Sequence, residues 1–404
     1  MKQEGQCMHT GTLCAREYRT GKGIQVAWQS GAVTCVEPAE VTEDIWIAPG
    51  LTDLQVNGYG GVDFQDSALT LESLRKAVRA LQRDGCFQFF PTLITDDWSA
   101  MIARLRRIRG FREQCPELQA AIAGWHLEGP FLSPVPGYCG AHPKEKMIRP
   151  TPGHIRELRE ATGNDPVLLT VAPEQEGVLE VLPLAASLGI RISLGHSNAS
   201  AAQLAAAVRG GAVSFTHLGN GCPQALDRHD NILWRVIGSE ALHPGLIPDS
   251  IHISPALFRI LHRAMDPARF WYTTDAVHPA GAPCGRYRIL GGTEVEVGPD
   301  QVVRVPGAAN FAGSALRPLE GIFRAAEMLG CSWREVWDRF TLQPRHWMGM
   351  KDAAIVPGGA ASFCILDFRK SGQPVVETYI QGEKRSSLPA KAWMGGAGIP
   401  DERS

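Results

Sequence analysis

Two histidines and a glutamate each follow a short apolar segment in the middle of the chain. His196 follows RISLG, His217 follows AVSFT, and Glu128 follows Leu127 in the segment HLEGP. An ionised carboxylate beside apolar residues is expensive to bury unless a cation or hydrogen-bond donors meet it. One carboxylate and two imidazoles form the His2Glu ligand set of catalytic zinc sites. These residues therefore predict a site for a divalent metal ion; the alternative is a set of hydrogen-bonded structural residues.

A fourth candidate, Asp275, follows the apolar segment WYTT further along the chain. It could serve as a metal ligand, as the N-cap of a helix or as a general base. With three ligands already assigned, hydrolysis at a metal still requires a group that carries a proton. We therefore assign Asp275 the role of the base, with the helix N-cap as the main alternative.

The segments around the two histidines predict how the side chains are brought together. Residues 190–194 and 212–216 have the pattern of strands, and the alanine-rich segment between them has the pattern of a helix. A strand-helix-strand unit of this length makes its two strands parallel. His196 and His217 then emerge at the same edge of the sheet, where α/β barrels keep their catalytic residues.

Eight apolar segments that alternate with helical patterns predict a (β/α)8 TIM barrel. The predicted strands cover residues 46–54, 86–94, 121–127, 167–171, 190–194, 212–216, 245–253 and 269–274. An excursion, GRYRILGGTEVEVGPDQVVRVPG, has the pattern of β-hairpins and precedes the last barrel helix. Strand patterns near both ends of the chain predict a small β-sandwich-like domain. We thus predict a small β domain from residues 1–47 and 352–388, a barrel from 48–351 and a flexible tail from 389–404.

The composition argues against several classes of partner. The 404 residues are 44% hydrophobic, with a formal net charge of -2 and no basic block. This charge gives no electrostatic footprint for nucleic acid or a membrane surface, and no apolar segment is long enough to span a bilayer. The ten cysteines are scattered without a CxxC pair, which favours free thiols in a reducing cytoplasm.

Several segments resemble one enzyme family in their order and spacing. PGLTDLQVNGYGGVDFQD, HLEGPFLSPVPGYCGAHP, SLGHSNAS, THLGNGCP, TTDAV, FAGSAL and IVPGGAASFCILD resemble the N-acetylglucosamine-6-phosphate deacetylases of the amidohydrolase superfamily. The resemblance implies a metal-dependent barrel enzyme of amino sugar catabolism that releases acetate and glucosamine 6-phosphate from N-acetylglucosamine 6-phosphate. It also implies that the partner is this small amino sugar phosphate and that the enzyme is a homodimer.

The resemblance assigns roles to the residues that do the chemistry. Glu128, His196 and His217 fall on the metal ligands of the family, and Asp275 falls on its catalytic base. His142 matches the histidine that helps to polarise the acetamide carbonyl. The metal expected here is zinc, with iron, manganese or cobalt as alternatives.

The resemblance also implies where the substrate is held. Arg228 and His252 match residues that bind the phosphate, and in the family this histidine reaches across a dimer. Asn220 and Gly221 match loop positions near the sugar and the phosphate. The role of His278, which stands where the family has a small residue, is left open.

At the end of the first barrel strand, Gln55 and Asn57 stand where many superfamily members have the His-x-His pair that holds a second metal. Amides ligate transition metals far less readily than imidazoles do. The pair therefore favours a site for one metal ion, and we assign Gln55 and Asn57 to substrate binding.

Two other classes of function stay open at this point. The chain could be an amidohydrolase that acts on a different or unphosphorylated N-acyl amino sugar. It could also be a catalytically silent binding protein built on the barrel, although such a scaffold alone would need none of the four residues Glu128, His196, His217 and Asp275.

Overall fold

The computed structural model describes residues 10–288, 294–298, 302–306, 311–369 and 374–389. Residues 1–9 of the predicted small domain and nearly all of the predicted tail, residues 389–404, lie outside this range. The strands, in chain order, are β1 (Gly11–Glu17), β2 (Gly23–Gln29), β3 (Ala32–Pro38), β4 (Ile45–Pro49), β5 (Leu51–Val56), β6 (Gly58–Tyr59), β7 (Val62–Asp63), β8 (Cys86–Ile94), β9 (Trp125–Glu128), β10 (Val167–Val171), β11 (Ile190–Leu194), β12 (Ala212–Phe215), β13 (His243–Leu246), β14 (Trp271–Tyr272), β15 (Gly285–Arg288), β16 (Glu294–Val297), β17 (Val302–Arg304), β18 (Phe311–Ser314), β19 (Phe363–Asp367), β20 (Val375–Ile380) and β21 (Glu383–Pro389).

Among the described residues, six of the eleven α-helices begin after a residue whose side chain caps the helix. They are α1 (Leu71–Arg83), α2 (Trp98–Gln114), α3 (Pro116–Ala121), α4 (Pro152–Thr162), α5 (Val178–Ser187), α6 (Ala201–Arg209), α7 (Ile232–Ile237), α8 (Pro255–Ala264), α9 (Pro318–Leu329), α10 (Trp333–Trp337) and α11 (Leu342–Met348). At α6, Ser200 accepts a hydrogen bond from the Gln203 N–H, and the Gln203 side chain accepts one from the Ser200 N–H, which fixes the start of the helix that follows His196. Among the described residues, every helix is too short or too polar to cross a membrane.

Eight strands form the predicted barrel, which is confirmed. They are hydrogen-bonded in the order β5-β8-β9-β10-β11-β12-β13-β14, and all neighbouring pairs run parallel. A parallel bridge between Val56 and Ala276 joins the first strand to the segment after the last. The sheet therefore closes on itself, and the carboxyl ends of all eight strands form one rim.

The small β domain is also confirmed. Its seven-stranded sheet has the order β3-β2-β1-β4-β19-β20-β21, so the two ends of the chain contribute to one sheet. Its core contains Trp28, Ile47 and Phe363, and the Trp28 and Phe363 rings meet edge to face with centroids 5.4 Å apart. The predicted excursion, residues 285–307, contains β15, β16 and β17, which form a separate sheet with the following strand β18 in the order β15-β16-β17-β18.

One predicted strand is in fact two. Residues 46–54 read as a single barrel strand, but β4 pairs with β19 of the small domain and β5 pairs with β8 of the barrel. The break falls at Gly50, where a Cβ atom would lie 1.9 Å from the ring of Phe87. Only glycine fits this close approach, so the chain passes between the two domains here.

Three other barrel strands are shorter than predicted. The segment 121–127 begins at the end of α3, and its strand starts only at Trp125. The strand predicted over 245–253 ends at Leu246, because Asp249 accepts hydrogen bonds from the N–H groups of Ile251 and His252 and forms a turn. The strand predicted over 269–274 covers Trp271–Tyr272 alone.

Candidate metal centre and active site

The side chains predicted to do chemistry lie at the carboxyl ends of the barrel strands. Glu128 ends β9, and His196, His217 and Asp275 come just after β11, β12 and β14. The last three have positive φ angles of 49°, 32° and 49°, a region that residues other than glycine rarely adopt. Backbone strain of this kind concentrates at functional sites.

Glu128, His196 and His217 form a single buried cluster. Glu128 Oε1 lies 2.8 Å from His217 Nε2 and 3.3 Å from His196 Nε2, and one candidate ligand atom from each residue lies within 4.8 Å of the others. Atoms that bind one zinc ion tetrahedrally are about 3.4 Å apart. The three donors therefore have the chemical type, the burial and the spacing that a divalent cation requires.

The charges within the cluster also suit a cation. Burial alone would raise the pKa of Glu128, but hydrogen bonds from His196 and His217 hold it well below its usual value. Burial would likewise lower the pKa of His217, but its hydrogen bond with Glu128 raises it. Glu128 is thus an ionised carboxylate in the protein interior, and its partners are the two groups that would bind a metal beside it.

His196 is held in place by the loop that follows β9. Its Nδ1 atom lies 2.9 Å from the Tyr138 carbonyl oxygen, which accepts the Nδ1 hydrogen. Nε2, which faces Glu128, is then the atom that would bind a metal ion in place of its hydrogen. The backbone of two glycines closes on the ring: a Cβ atom on Gly140 would lie 2.8 Å from Cε1, and one on Gly221 would lie 3.0 Å from Nδ1. These contacts leave the imidazole little freedom to move.

Replacement Gly140→Ala is therefore expected to displace His196 and to weaken metal binding by about 10-fold. Gly330→Ala is the matched control, because both glycines have positive φ angles, 57° and 66°, but a Cβ atom on Gly330 has no atom within 4 Å. Both variants should lose about 1–2 kcal/mol of stability from the backbone conformation. Metal affinity measured by competition with a chelator separates them, and equal affinities would contradict the role assigned to Gly140.

Asp275 lies beside this cluster. Asn57 Nδ2 donates to Asp275 Oδ1 at 2.8 Å, which leaves Oδ2 available to take a proton. Burial and the negative charge of Glu128 raise the pKa of Asp275 to about 7. No helix follows: the next residue, Ala276, bridges to Val56 and to Ser314, so the alternative of a helix N-cap is wrong.

Asp53 supports Asp275 from within the barrel wall and was missed in the sequence. Its carboxylate accepts hydrogen bonds from the hydroxyls of Thr273 and Thr274 and from the N–H groups of Gln55 and Thr274. These bonds join β5 to the segment that carries Asp275. The sequence contained a signal for Asp53, because this carboxylate lies inside an apolar strand, as Glu128 does.

His142 completes the rim of the cluster. Its Nε2 lies 3.7 Å from Glu128 Oε2, and its ring centroid is 4.4 Å from that of His196. Its Nδ1 is hydrogen-bonded to the Thr95 hydroxyl at 2.9 Å. Burial lowers the pKa of His142 to about 3, so its ring is neutral at pH 7. Thr95 was not identified as a candidate site residue from the sequence.

Gln55 and Asn57 have polar atoms without a partner. Both side-chain polar atoms of Gln55 and the Oδ1 atom of Asn57 are buried and make no hydrogen bond to any described residue. Buried polar groups are nearly always hydrogen-bonded. These atoms therefore leave hydrogen-bonding capacity unused at the end of β5, next to Asp275.

The four residues expected to hold the sugar and phosphate lie on two loops. Asn220 donates from Nδ2 to the His217 carbonyl oxygen at 3.3 Å, and a Cβ atom on Gly221 would lie 3.0 Å from His196 Nδ1. His252 Nδ1 pairs with Asp249 Oδ2 at 2.6 Å. Arg228 is exposed on the loop before α7, and no contact among the described residues joins its side chain to the cluster.

The placement of His252 has a consequence for its charge. Burial would lower its pKa, but the hydrogen bond that His252 donates to Asp249, the charge of Asp249 and then the charge of Asp275 raise it. His252 is therefore within electrostatic reach of Asp275 in its own chain. His278, whose role was left open, is buried 3.9 Å from Asp63 and packs against the ring of Tyr287 in β15, with centroids 5.6 Å apart.

One further residue that the sequence did not indicate is Glu174. It accepts hydrogen bonds from the Ser197 hydroxyl and the Asn198 N–H, both at 2.6 Å. These bonds hold the segment that directly follows His196. Nothing distinguishes this glutamate from a surface residue in the sequence, because it follows β10 in a polar turn.

Comparison with known proteins gives a consistent result, although no family model matches the chain. It is similar to the N-acetylglucosamine-6-phosphate deacetylase of Danio rerio, with 31% identity over 351 residues, or 84% of each protein. It is also similar to the N-acetylgalactosamine-6-phosphate deacetylase of Escherichia coli O157:H7, with 29% identity over 93% of this chain and all of that protein.

A solved structure agrees with these relatives. The fold matches that of a variant of the N-acetyl-D-glucosamine-6-phosphate deacetylase of Mycobacterium smegmatis in complex with N-acetyl-D-glucosamine-6-phosphate, with a TM-score of 0.81, 25% identity and coverage of 93% of this chain and 99% of that one. The resemblance found in the sequence is thus confirmed: the chain belongs to the N-acetylglucosamine-6-phosphate deacetylase family of the amidohydrolase superfamily.

Proposed function

We propose that the protein hydrolyses the acetamide bond of N-acetylglucosamine 6-phosphate, releasing acetate and glucosamine 6-phosphate in amino sugar catabolism. The observation that carries this proposal is the buried cluster of Glu128, His196 and His217 beside Asp275, in a chain that belongs to the deacetylase family. The relatives include deacetylases named for the glucosamine and for the galactosamine sugar phosphate. The substrate class is therefore an N-acetylhexosamine 6-phosphate.

Glu128, His196 and His217 would hold one divalent cation, which we propose to be zinc, with iron, manganese or cobalt as alternatives. The buried His2Glu donor set fits this role. When bound, such a cation polarises a carbonyl oxygen and lowers the pKa of water. A second ion is not expected, since Gln55 and Asn57 offer amides rather than imidazoles.

Asp275 would act first as base and then as acid. Because Asn57 donates to Oδ1, the proton of the attacking water goes to Oδ2. Asp275 then returns this proton to the nitrogen of the leaving amine, which has to be protonated to depart. His142 would donate from Nε2 to the acetamide oxygen as negative charge develops there. For this, the Thr95 hydroxyl has to donate its single hydrogen to His142 Nδ1 at 2.9 Å instead of to the Glu128 carbonyl oxygen at 3.2 Å.

The loops at the rim would hold the rest of the substrate. We assign the phosphate to Arg228 and His252, and the sugar to Asn220, Gly221 and the unpartnered amides of Gln55 and Asn57. We further propose that the enzyme is a cytoplasmic homodimer and that its domains have the predicted extents, except that the chain enters the barrel at Gly50 rather than at residue 48.

The proposal predicts a strong preference for the phosphorylated sugar. Two charge-assisted hydrogen bonds of about 1.5–3 kcal/mol each should make kcat/KM at least about 100-fold higher for N-acetylglucosamine 6-phosphate than for N-acetylglucosamine. An assay of acetate release measures both values. The same assay with N-acetylgalactosamine 6-phosphate shows whether the enzyme also accepts the galacto epimer of the substrate.

A matched pair of variants tests the phosphate assignment. Arg228→Ala should remove most of the preference for the phosphorylated sugar, whereas Arg209→Ala, which removes another exposed arginine on α6, should leave it intact. Equal rates on the phosphorylated and plain sugars in the unmodified enzyme would contradict the phosphate site and point to an unphosphorylated N-acyl amino sugar.

A further inference from the structure

Below the metal cluster, five polar side chains form a continuous hydrogen-bonded chain across the inside of the barrel. We call it the polar belt; it consists of Thr92, His126, Thr170, Thr216 and Ser193. The distances along it are 3.3 Å from Thr92 Oγ1 to His126 Nδ1, 2.8 Å from His126 Nε2 to Thr170 Oγ1, 2.8 Å from Thr170 to Thr216 and 2.7 Å from Thr216 to Ser193. All five residues are 0% exposed.

All hydrogen bonds within the belt are donated in the same direction, towards Thr92. The Thr92 hydroxyl donates to the Phe90 carbonyl oxygen at 3.3 Å and accepts from the Val56 N–H at 2.9 Å. Its single hydrogen is then used, so it accepts from His126 Nδ1, and the neutral ring accepts at Nε2 from Thr170. Each of the two remaining hydroxyls donates to the one before it. In this arrangement every hydrogen of the belt has an acceptor, whereas the reverse direction leaves the last hydroxyl without one among the described residues.

The belt connects the strands that carry the candidate ligands. Its residues lie on β8, β9, β10 and β11 and at the end of β12. His126 on β9 connects the hydroxyl of Thr92 on β8 to the hydroxyl of Thr170 on β10. Each contact fixes the height and rotation of one strand end relative to the next. The pairs of belt residue and functional residue at the same strand end are His126 and Glu128, Thr216 and His217, Ser193 and His196, and Thr92 and Thr95.

Packing alone does not explain these residues. Two residues before Thr92 and Thr170 on their strands, Phe90 and Leu168 belong to an apolar cluster with Leu54 and Trp271, as is usual inside such barrels. The buried Ser214 hydroxyl borders this cluster and bonds to the Trp271 ring nitrogen. Burying polar groups has a desolvation cost that an apolar layer avoids. The change from an apolar to a fully bonded polar layer occurs directly beneath the cluster, which points to a role in arranging it.

We propose that His126 is a positioning residue for the metal centre: by joining Thr92 to Thr170 it keeps Glu128 and His217 convergent, so that the metal binds to a preformed site. This inference rests on the proposed function, since it requires that the cluster binds a metal ion. Residues that orient ligands from outside the coordination sphere typically contribute 10- to 100-fold to metal affinity.

The test measures zinc dissociation constants by competition with a chromophoric chelator. His126→Leu should weaken zinc binding by about 10- to 100-fold. His126→Gln, which keeps a donor and an acceptor, should recover part of the loss. Ser214→Ala is the matched control: it removes a buried hydroxyl of β12 that bonds to the His243 carbonyl and the Trp271 ring nitrogen outside the belt, and its affinity should stay within about threefold of the unmodified protein. If His126→Leu does not fold, Thr170→Val breaks the same belt one link further on.

The outcomes distinguish this inference from the proposed function. Tight zinc binding by the unmodified protein with unchanged affinity in the belt variants would overturn the role of His126 alone. Equal weakening in His126→Leu and Ser214→Ala would also overturn it, because the effect would then be a general loss of barrel stability. Failure of the unmodified protein to bind zinc or another divalent ion would overturn the metal centre, and the inference with it.

Discussion

Replacement of Asp275 by asparagine is expected to lower kcat for acetate release by roughly 10²- to 10⁴-fold. Asparagine is nearly isosteric and its oxygen can still accept the hydrogen bond from Asn57, so the site should keep its shape. What is lost is the only group at this position that can take a proton from water and return it to the leaving amine. KM should change little, because the contacts proposed for the sugar and phosphate lie elsewhere.

The control for this variant is Asp63→Asn. Asp63 is also a rim carboxylate, and burial raises its pKa to about 6, but its neighbour is His278 and not the cluster. Its replacement should leave kcat within a few-fold of the unmodified enzyme. An Asp275→Asn variant that keeps more than about a tenth of the activity would show that another group transfers the proton.

Replacement Glu128→Gln is expected to abolish both metal binding and activity. The glutamine keeps the size of the side chain but removes the anionic ligand, and amides bind transition metals weakly. The metal-free variant should nevertheless fold, since His217, whose pKa is raised by Glu128, can release its proton once the negative charge is removed. With metal at 100 times its dissociation constant, the unmodified protein should gain about 2.7 kcal/mol of stability, whereas the variant should gain none.

Glu320→Gln is the matched control for this variant. Glu320 is buried in α9 and pairs with Arg324, and burial raises its pKa to about 7, but it lies outside the cluster. Its replacement should leave the stabilisation by metal unchanged. If Glu128→Gln were stabilised by metal as strongly as the unmodified protein, Glu128 would not be a ligand.

The convergence of the candidate site could be predicted from the sequence because parallel strands place their ends at one rim. His196 and His217 end successive strands, and Glu128 is a charge in an apolar segment, so each has a local signal and the fold brings them together. The fold class was predictable for the same reason, since the alternation of strands and helices is local. The break at Gly50 was not, because it depends on the Phe87 ring in another strand.

Contacts across the barrel could not be predicted from the sequence. The Asn57 hydrogen bond to Asp275 and the bonds of Asp53 depend on the register with which the first and last strands meet. His126 was read as part of an apolar strand, and only its position between Thr92 and Thr170 in space shows that it bridges them. Arg228 and His252 lie on loops, whose conformation the sequence pattern does not define.

The proposal that the protein is a metal-dependent hydrolase is tested most directly by titrating the metal-free protein with zinc. The rate of acetate release from N-acetylglucosamine 6-phosphate is measured after each addition. The cluster of Glu128, His196 and His217 predicts no activity without metal and a linear rise that ends at one zinc ion per chain. Full activity in the metal-free protein, or a rise that continues to two ions per chain, would contradict the single-metal centre.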